Sequence, residues 1–310
     1  VSGHTAAATS TRDTRPLQDL PRWRVWLLAA RIPTLSAAVA PVLVGSAAAW
    51  AHGRFIPGAL VAALVSSTLI QVGTNFANDL FDFKKGADTE KRTGPLRVTQ
   101  AGLVSPQEIE RAMWITFALA VVAGLYLIYL GGWPILAIGL LSIAAGILYT
   151  GGPWPLAYHG LGDLFSFLFF GVIAVCGTYL VHTGSVSAFA FVASLPVAMI
   201  VTAILVANNL RDIETDRAAG KRTLAVRLGA RLTKLEYIAL LALAYLIPVV
   251  MWAFGWLSGP FWLPWLTLPL AVRLVRIVLT QTGRQLIPAL KGTGLLHLLF
   301  GLLFAASLLW

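Results

Sequence analysis

Cysteine, histidine and charge are all scarce in this chain of 310 residues. The single cysteine, Cys176, excludes an intrachain disulfide and any cysteine-based metal site. It falls in an apolar run, where a small packing residue is the plain reading. Five histidines (His4, His52, His159, His182, His297) show no ligand spacing such as HxxxH and read as interfacial or packing residues. Asp, Glu, Lys and Arg make up 12% of the chain, against about 25% in a soluble domain, while 58% is hydrophobic. A water-soluble globule is excluded by that balance, and lipid becomes the solvent for most of the fold.

What is abundant is long apolar sequence interrupted by short polar gaps. Nine segments can be drawn: Thr34–Ala51, Ile56–Phe81, Glu110–Leu130, Pro134–Thr150, Leu161–His182, Val186–Leu210, Leu235–Phe254, Pro260–Val278 and Gly292–Trp310. The expected architecture is all-α, a polytopic bundle of nine transmembrane helices. Residues 1–21 lack the apolar core of a signal peptide and read as a disordered cytosolic tail, leaving 22–310 as a single membrane domain. Within it, Arg22–Ala30 sets Trp23 and Trp26 beside Arg22 and Arg24, the pattern of a short interfacial helix.

The net charge of +10 suggests nucleic acid until its distribution is read. On the nine-span reading, 22 of the 23 Lys and Arg fall on one face, with Arg54 the exception. That asymmetry is the positive-inside pattern, and it predicts a cytoplasmic N-terminus and an external C-terminus. Topology therefore accounts for most of the basic residues, and no nucleic-acid partner is called for.

Topology does not account for the acids. Seven of the thirteen Asp and Glu sit in two short clusters at the cytoplasmic ends of spans two and six. The first cluster runs from Asn78 through Asp79, Asp82 and Asp88 to Glu90, and the second contains Asn208, Asp212, Glu214 and Asp216. Asn78/Asp82 and Asn208/Asp212 are i, i+4 pairs that share a helix face, and Asp216 extends the second stripe by a turn. Gly86 is expected to end the first helix before Asp88. Each cluster precedes a matching basic string, KRTGPLR from Lys91 to Arg97 and KRTLAVR from Lys221 to Arg227, displaced by 130 positions. Two unrelated loops have no reason to share that pattern; a duplicated bundle with one motif per half does.

The chemistry these residues suit is Mg²⁺-assisted diphosphate binding. Mg²⁺ takes carboxylate and carbonyl oxygens and completes its shell with water and phosphate. Asn78, Asp79, Asp82, Asp88, Asn208, Asp212 and Asp216 are the candidate metal ligands, with Asp82, Asp88, Asp212 and Asp216 the catalytic candidates. Lys91, Arg92, Arg97, Lys221 and Arg222 are candidates for neutralising the diphosphate. The plainer alternative, that the acids are helix-end caps, conflicts with the macrodipole, which disfavours carboxylates at a C-terminus. Clustered ionisable groups at membrane depth are by default functional.

With these motifs the chain resembles the UbiA superfamily of intramembrane prenyltransferases. Asn208, Asp212 and Asp216 match its NxxxDxxxD spacing, whereas five residues rather than three separate Asp82 from Asp88. That departure is similar to the 1,4-dihydroxy-2-naphthoate branch, as are RIPTLSAAVAPVLVG at 31–45, NFANDLFDFKKGAD at 75–88 and YTGGPWPLAYHGLGDLFSFLFFG at 149–171. The resemblance implies a bacterial plasma-membrane enzyme with its site toward the cytoplasm. It would transfer a polyprenyl group from polyprenyl diphosphate to an aromatic acceptor, with loss of carbon dioxide in the naphthoate branch. It also implies roles for Arg31, at the diphosphate or the acceptor carboxylate, and for Asp163 and Tyr149 near the substrates. Members acting on benzoates carry Lys four residues after this Tyr, where the present chain has Pro153.

Sister enzymes using 4-hydroxybenzoate, homogentisate or a phytyl donor are the nearest alternatives, separable by the mass of the product. A cation transporter is the alternative from another class. It is disfavoured because the acids sit at one face rather than at the midplane, and ion uptake into proteoliposomes would distinguish it.

Overall fold

The computed structural model describes residues 20–86 and 97–310, and among them every regular element is helical. In chain order these are α1 (Arg22–Ala30), α2 (Ser36–Ala51), α3 (Pro57–Lys84), α4 (Pro106–Gly131), α5 (Trp133–Leu148), α6 (Gly162–Thr183), α7 (Ala188–Ala218), α8 (Leu224–Ala253), α9 (Leu263–Thr280) and α10 (Gly283–Ser307).

Local chemistry accounts for many of the boundaries. Ser105 caps α4 by accepting from Glu108 N, while Glu108 accepts from Ser105 N, a reciprocal box with Pro106 at the first helical position. Ser187 and Thr223 cap α7 and α8 in the simpler one-bond form. The first helix is stopped by Arg31, which adopts a left-handed conformation (φ 53°), and a short turn through Pro33 then leads into α2. The axes of α1 and α2 are thus bent by 50° across this break.

The span count differs from the sequence expectation. Seven helices among the described residues are long and apolar enough to cross a bilayer, or eight if the bent pair is one span. The remaining segment, α5, is apolar but has only 16 residues. Its length of about 24 Å falls short of a hydrocarbon core of about 30 Å. The expected tail, residues 1–21, lies outside the described residues except for Leu20 and Pro21.

The internal repeat is carried by the helices. A shift of 130 positions moves α3 onto 187–214, within α7, and α5 onto 263–278, within α9. α3 packs most extensively on α4, and α7 on α8, so each half is organised about the same helix pair. Between the halves, backbones approach closely through small residues. A Cβ on Gly45 would collide with Val175 O and Thr178, and one on Gly301 with Ala40. With lipid as solvent, such close packing is what binds one helix to the next.

Candidate active site

The lower ends of α3 and α7 meet at one large cavity of about 1550 Å³. Its polar end is lined by Asn78, Asp82 and Arg97 from the first half and by Asn208, Asp212, Asp216 and Lys221 from the second. From there it continues between α2, α3, α5 and α6 past apolar side chains such as Val42, Ile135, Phe169 and Val181.

Asp82 and Asp212 are neutralised differently. Asp82 is buried, with Oδ2 accepting from Arg97 Nη2 at 2.5 Å and Oδ1 lying 3.6 Å from Lys221 Nζ. Lys221 belongs to the second basic string, so one half supplies a cation to the other half's acid. Asp212 is held by its own neighbour: Arg211 Nε donates to Oδ1 at 2.8 Å and Nη2 to Oδ2 at 2.5 Å. Arg211 Nη2 also donates to Asn208 Oδ1 at 2.8 Å, which knits the second motif together. Thr150 Oγ1 donates to Asn78 Oδ1 at 2.9 Å, fixing the amide of the first.

The segment between α5 and α6 covers this mouth. Lys85 Nζ donates to Thr150 O at 2.7 Å and Gly152 O at 3.1 Å. The Tyr158 ring lies beneath two ammonium groups, Lys221 at 4.8 Å and Lys85 at 5.3 Å from its centroid. Desolvation lowers the pKa of Lys85, Lys221 adding to the effect and Asp82 opposing it. Tyr149 lines the cavity at the C-terminal end of α5.

Several expected residues are placed elsewhere. Asp79, expected as a metal ligand, does not line the cavity; its carboxylate accepts from Val98 N and Thr99 N, both at 3.2 Å. It anchors the returning chain that carries Arg97. Arg222 is exposed and also lies off the cavity, its N–H donating to Tyr158 O at 3.0 Å. Asp163 is buried in the first turn of α6 behind the cavity wall, and its Oδ2 has no hydrogen-bond donor. Arg31 lines the cavity above the motif residues. Asp88, Lys91 and Arg92 lie outside the described residues.

The sequence reading missed Arg211, Lys85 and Tyr158. Arg211 carried a signal, since it stands where the first half has Phe81 once the halves are aligned. Tyr158 carried none, because its role depends on two lysines from other segments.

Among the described residues no three His, Cys, Asp or Glu side chains stand together as a ready-made metal cluster. The donor set still fits Mg²⁺. Carboxylate and amide oxygens from two motifs face one cavity, and Mg²⁺ is commonly held by one or two carboxylates plus substrate phosphate rather than by an all-protein cage.

The family model of the UbiA prenyltransferase family matches residues 38–299. The chain belongs to this family. It is 40% identical over 286 residues to a 1,4-dihydroxy-2-naphthoate octaprenyltransferase of Mycobacterium tuberculosis, covering 91% of this chain and 96% of the relative. It is 37% identical to the enzyme of the same name from Haemophilus influenzae, with 92% and 96% covered. In three dimensions it is similar to a UbiA homologue from Archaeoglobus fulgidus bound to GPP and Mg²⁺, with TM-score 0.62 at 15% identity over 92% of this chain and 99% of the other. Like these members of the UbiA family, it is an integral membrane protein, with its family motifs gathered at one end of the bundle.

Proposed function

We propose that this protein transfers a polyprenyl group from an allylic polyprenyl diphosphate to 1,4-dihydroxy-2-naphthoate, releasing diphosphate and carbon dioxide. One observation carries the reading: both Asp motifs open into the same cavity, which then turns apolar along its length. A diphosphate suits the polar end and an isoprenoid chain suits the rest. The choice of naphthoate among aromatic acceptors is supported by the relatives that bear that activity in their names.

In the reaction the C–O bond to diphosphate breaks and a C–C bond forms at the ring carbon bearing the carboxylate. The ring-to-carboxylate bond then breaks, and its electron pair restores aromaticity as carbon dioxide leaves. Asn78, Asp82, Asn208, Asp212 and Asp216 would hold Mg²⁺, which supplies Lewis-acid stabilisation of the departing diphosphate. Arg97 and Lys221 stand beside these oxygens and add positive charge for the leaving group. Asp88, Lys91 and Arg92 complete the proposed set by their position in the first motif and its basic string. Arg31 is assigned to the diphosphate or the acceptor carboxylate, and Tyr149 to a hydrogen bond at the same end. The apolar walls exclude water, which would otherwise capture the allylic cation.

We further place the motif end at the cytoplasmic face of a bacterial plasma membrane, with nine crossings once α5 and the bent pair α1–α2 are counted. The one-sided basic residues support that orientation. Thiol probes at Ser105→Cys and Ser258→Cys in a Cys176→Ser background should label from opposite sides, and labelling from the same side refutes the nine-crossing arrangement.

The direct test uses purified protein, Mg²⁺, a series of prenyl diphosphates and naphthoate labelled with carbon-13 in its carboxylate. Label should leave as carbon dioxide, one per turnover. Label retained in the product, or turnover with 4-hydroxybenzoate alone, refutes the naphthoate assignment.

A further inference from the structure

The α3 stripe that ends in Asn78 and Asp82 continues inward through Asn75 to Gln71, at spacings of three and four residues that keep one helix face. All four line the cavity. Gln71 is two turns, about 10 Å, from Asn78 along the axis, where most of the surrounding wall is apolar.

Its amide is oriented by a fixed network. Thr34 Oγ1 donates to Arg31 O at 2.9 Å and accepts from Asn75 Nδ2 at 2.9 Å and from Gln71 Nε2 at 3.2 Å. Asn75 Nδ2 also donates to Ala30 O at 2.9 Å. The network uses the nitrogen of Gln71 and leaves its Oε1 without a donor, on a side chain only 6% exposed. On the same helix Ser66 donates to Ala120 O, and Ser67 donates to Ala38 O and Leu64 O. A buried acceptor without a partner is rare and calls for an explanation.

We propose that Gln71 Oε1 accepts the hydrogen bond of a ring hydroxyl on the aromatic acceptor and thereby determines acceptor specificity. This rests on the naphthoate reading above. An isoprenoid chain carries no donor, and neither an ionised diphosphate nor a carboxylate donates. Among the substrates of that reaction, only the ring hydroxyls can satisfy this oxygen. The opposite wall agrees: positions equivalent to Gln71 and Asn75 in α7 are Val201 and Leu205, which also line the cavity. The hydroxyl-bearing ring therefore lies against α3 and the hydrocarbon against α7.

The test pairs Gln71→Met, similar in length but without the amide, with naphthoates methylated on one hydroxyl or the other. In Gln71→Met the KM for the naphthoate should rise about 10- to 100-fold, the KM for the prenyl diphosphate staying within about twofold. One of the two methyl ethers should bind the wild-type protein as weakly as the parent binds the variant, and the variant should not distinguish that ether from the parent. Unchanged naphthoate affinity in Gln71→Met overturns the proposal, as does an equal rise in both KM values. Should the variant not fold, the ethers decide alone: wild-type protein that binds both as tightly as the parent also overturns it. Wild-type protein without any turnover of naphthoate refutes the reading of function and this inference with it.

Discussion

Asp82 and Asp212 occupy equivalent places 130 positions apart, yet the cations facing them come from different kinds of place. Asp212 is chelated by the residue beside it, so the second motif carries a cation on its own helix. Asp82 has Phe81 in that place and relies on Arg97, beyond the loop, and on Lys221, from the other half. The helices end differently too. α3 stops at Lys84 with Gly86 at φ 64°, whereas α7 continues to Ala218 and carries Asp216 on a regular turn. The second motif has a cation from its own helix, whereas the charge balance of the first draws on other segments and so requires tertiary folding. The basic string in one half is thereby tied to the acid of the other, so the site is complete only when both halves are packed.

The largest expected effect concerns whether the two acids serve one site. Asp82→Asn and Asp212→Asn should each lower kcat by about 100- to 1000-fold, the range for loss of one group that stabilises transition-state charge. Near-normal turnover in either variant breaks the two-motif reading.

Next in size is stability, measured by thermal unfolding in detergent. Arg211→Ala removes both hydrogen bonds from Arg211 to the buried Asp212 and should cost about 3 kcal/mol or more. Arg97→Ala should cost less, because Lys221 remains beside Asp82. Equal losses would mean that Lys221 contributes nothing to holding the first motif. A double-mutant cycle between Arg97→Ala and Lys221→Ala isolates that contribution, with a coupling energy of about 0.5 kcal/mol or more expected for groups sharing one carboxylate.

The smallest effect tests the helix stops. Gly86→Ala and Gly220→Ala place a Cβ at φ 64° and 73° with no atom within 4 Å to obstruct it, so the penalty is conformational. Each should cost about 1 kcal/mol. A clearly larger loss at Gly86 would show that the curl after Lys84 positions the first motif.

Much of this was legible before any coordinates. Apolar length and turn chemistry located a helix in each drawn segment, because hydrophobicity and capping act over a few residues, although only seven, or eight with the bent pair, are long enough to cross a bilayer. The short interfacial helix Arg22–Ala30 followed from Trp and Arg at its surface in the same way. Which acids of a motif reach the cavity was less legible. Asp79 is one residue from Asn78 on α3, a rotation of about 100°, and that turn directs it to the backbone of Val98 and Thr99 instead of the cavity.

The sequence alone determined that the chain lives in lipid, that it is built from two related halves, and that each half ends a helix in paired Asn and Asp. Those properties reside in composition, periodicity and spacing. Only the tertiary structure decided that Lys221 faces Asp82 across the halves, that Tyr158 lies beneath two lysines, and that Gln71 presents an unmatched oxygen to the cavity. Each depends on which groups packing brings within a few ångströms of one another, and segments far apart in the chain meet only when the bundle closes.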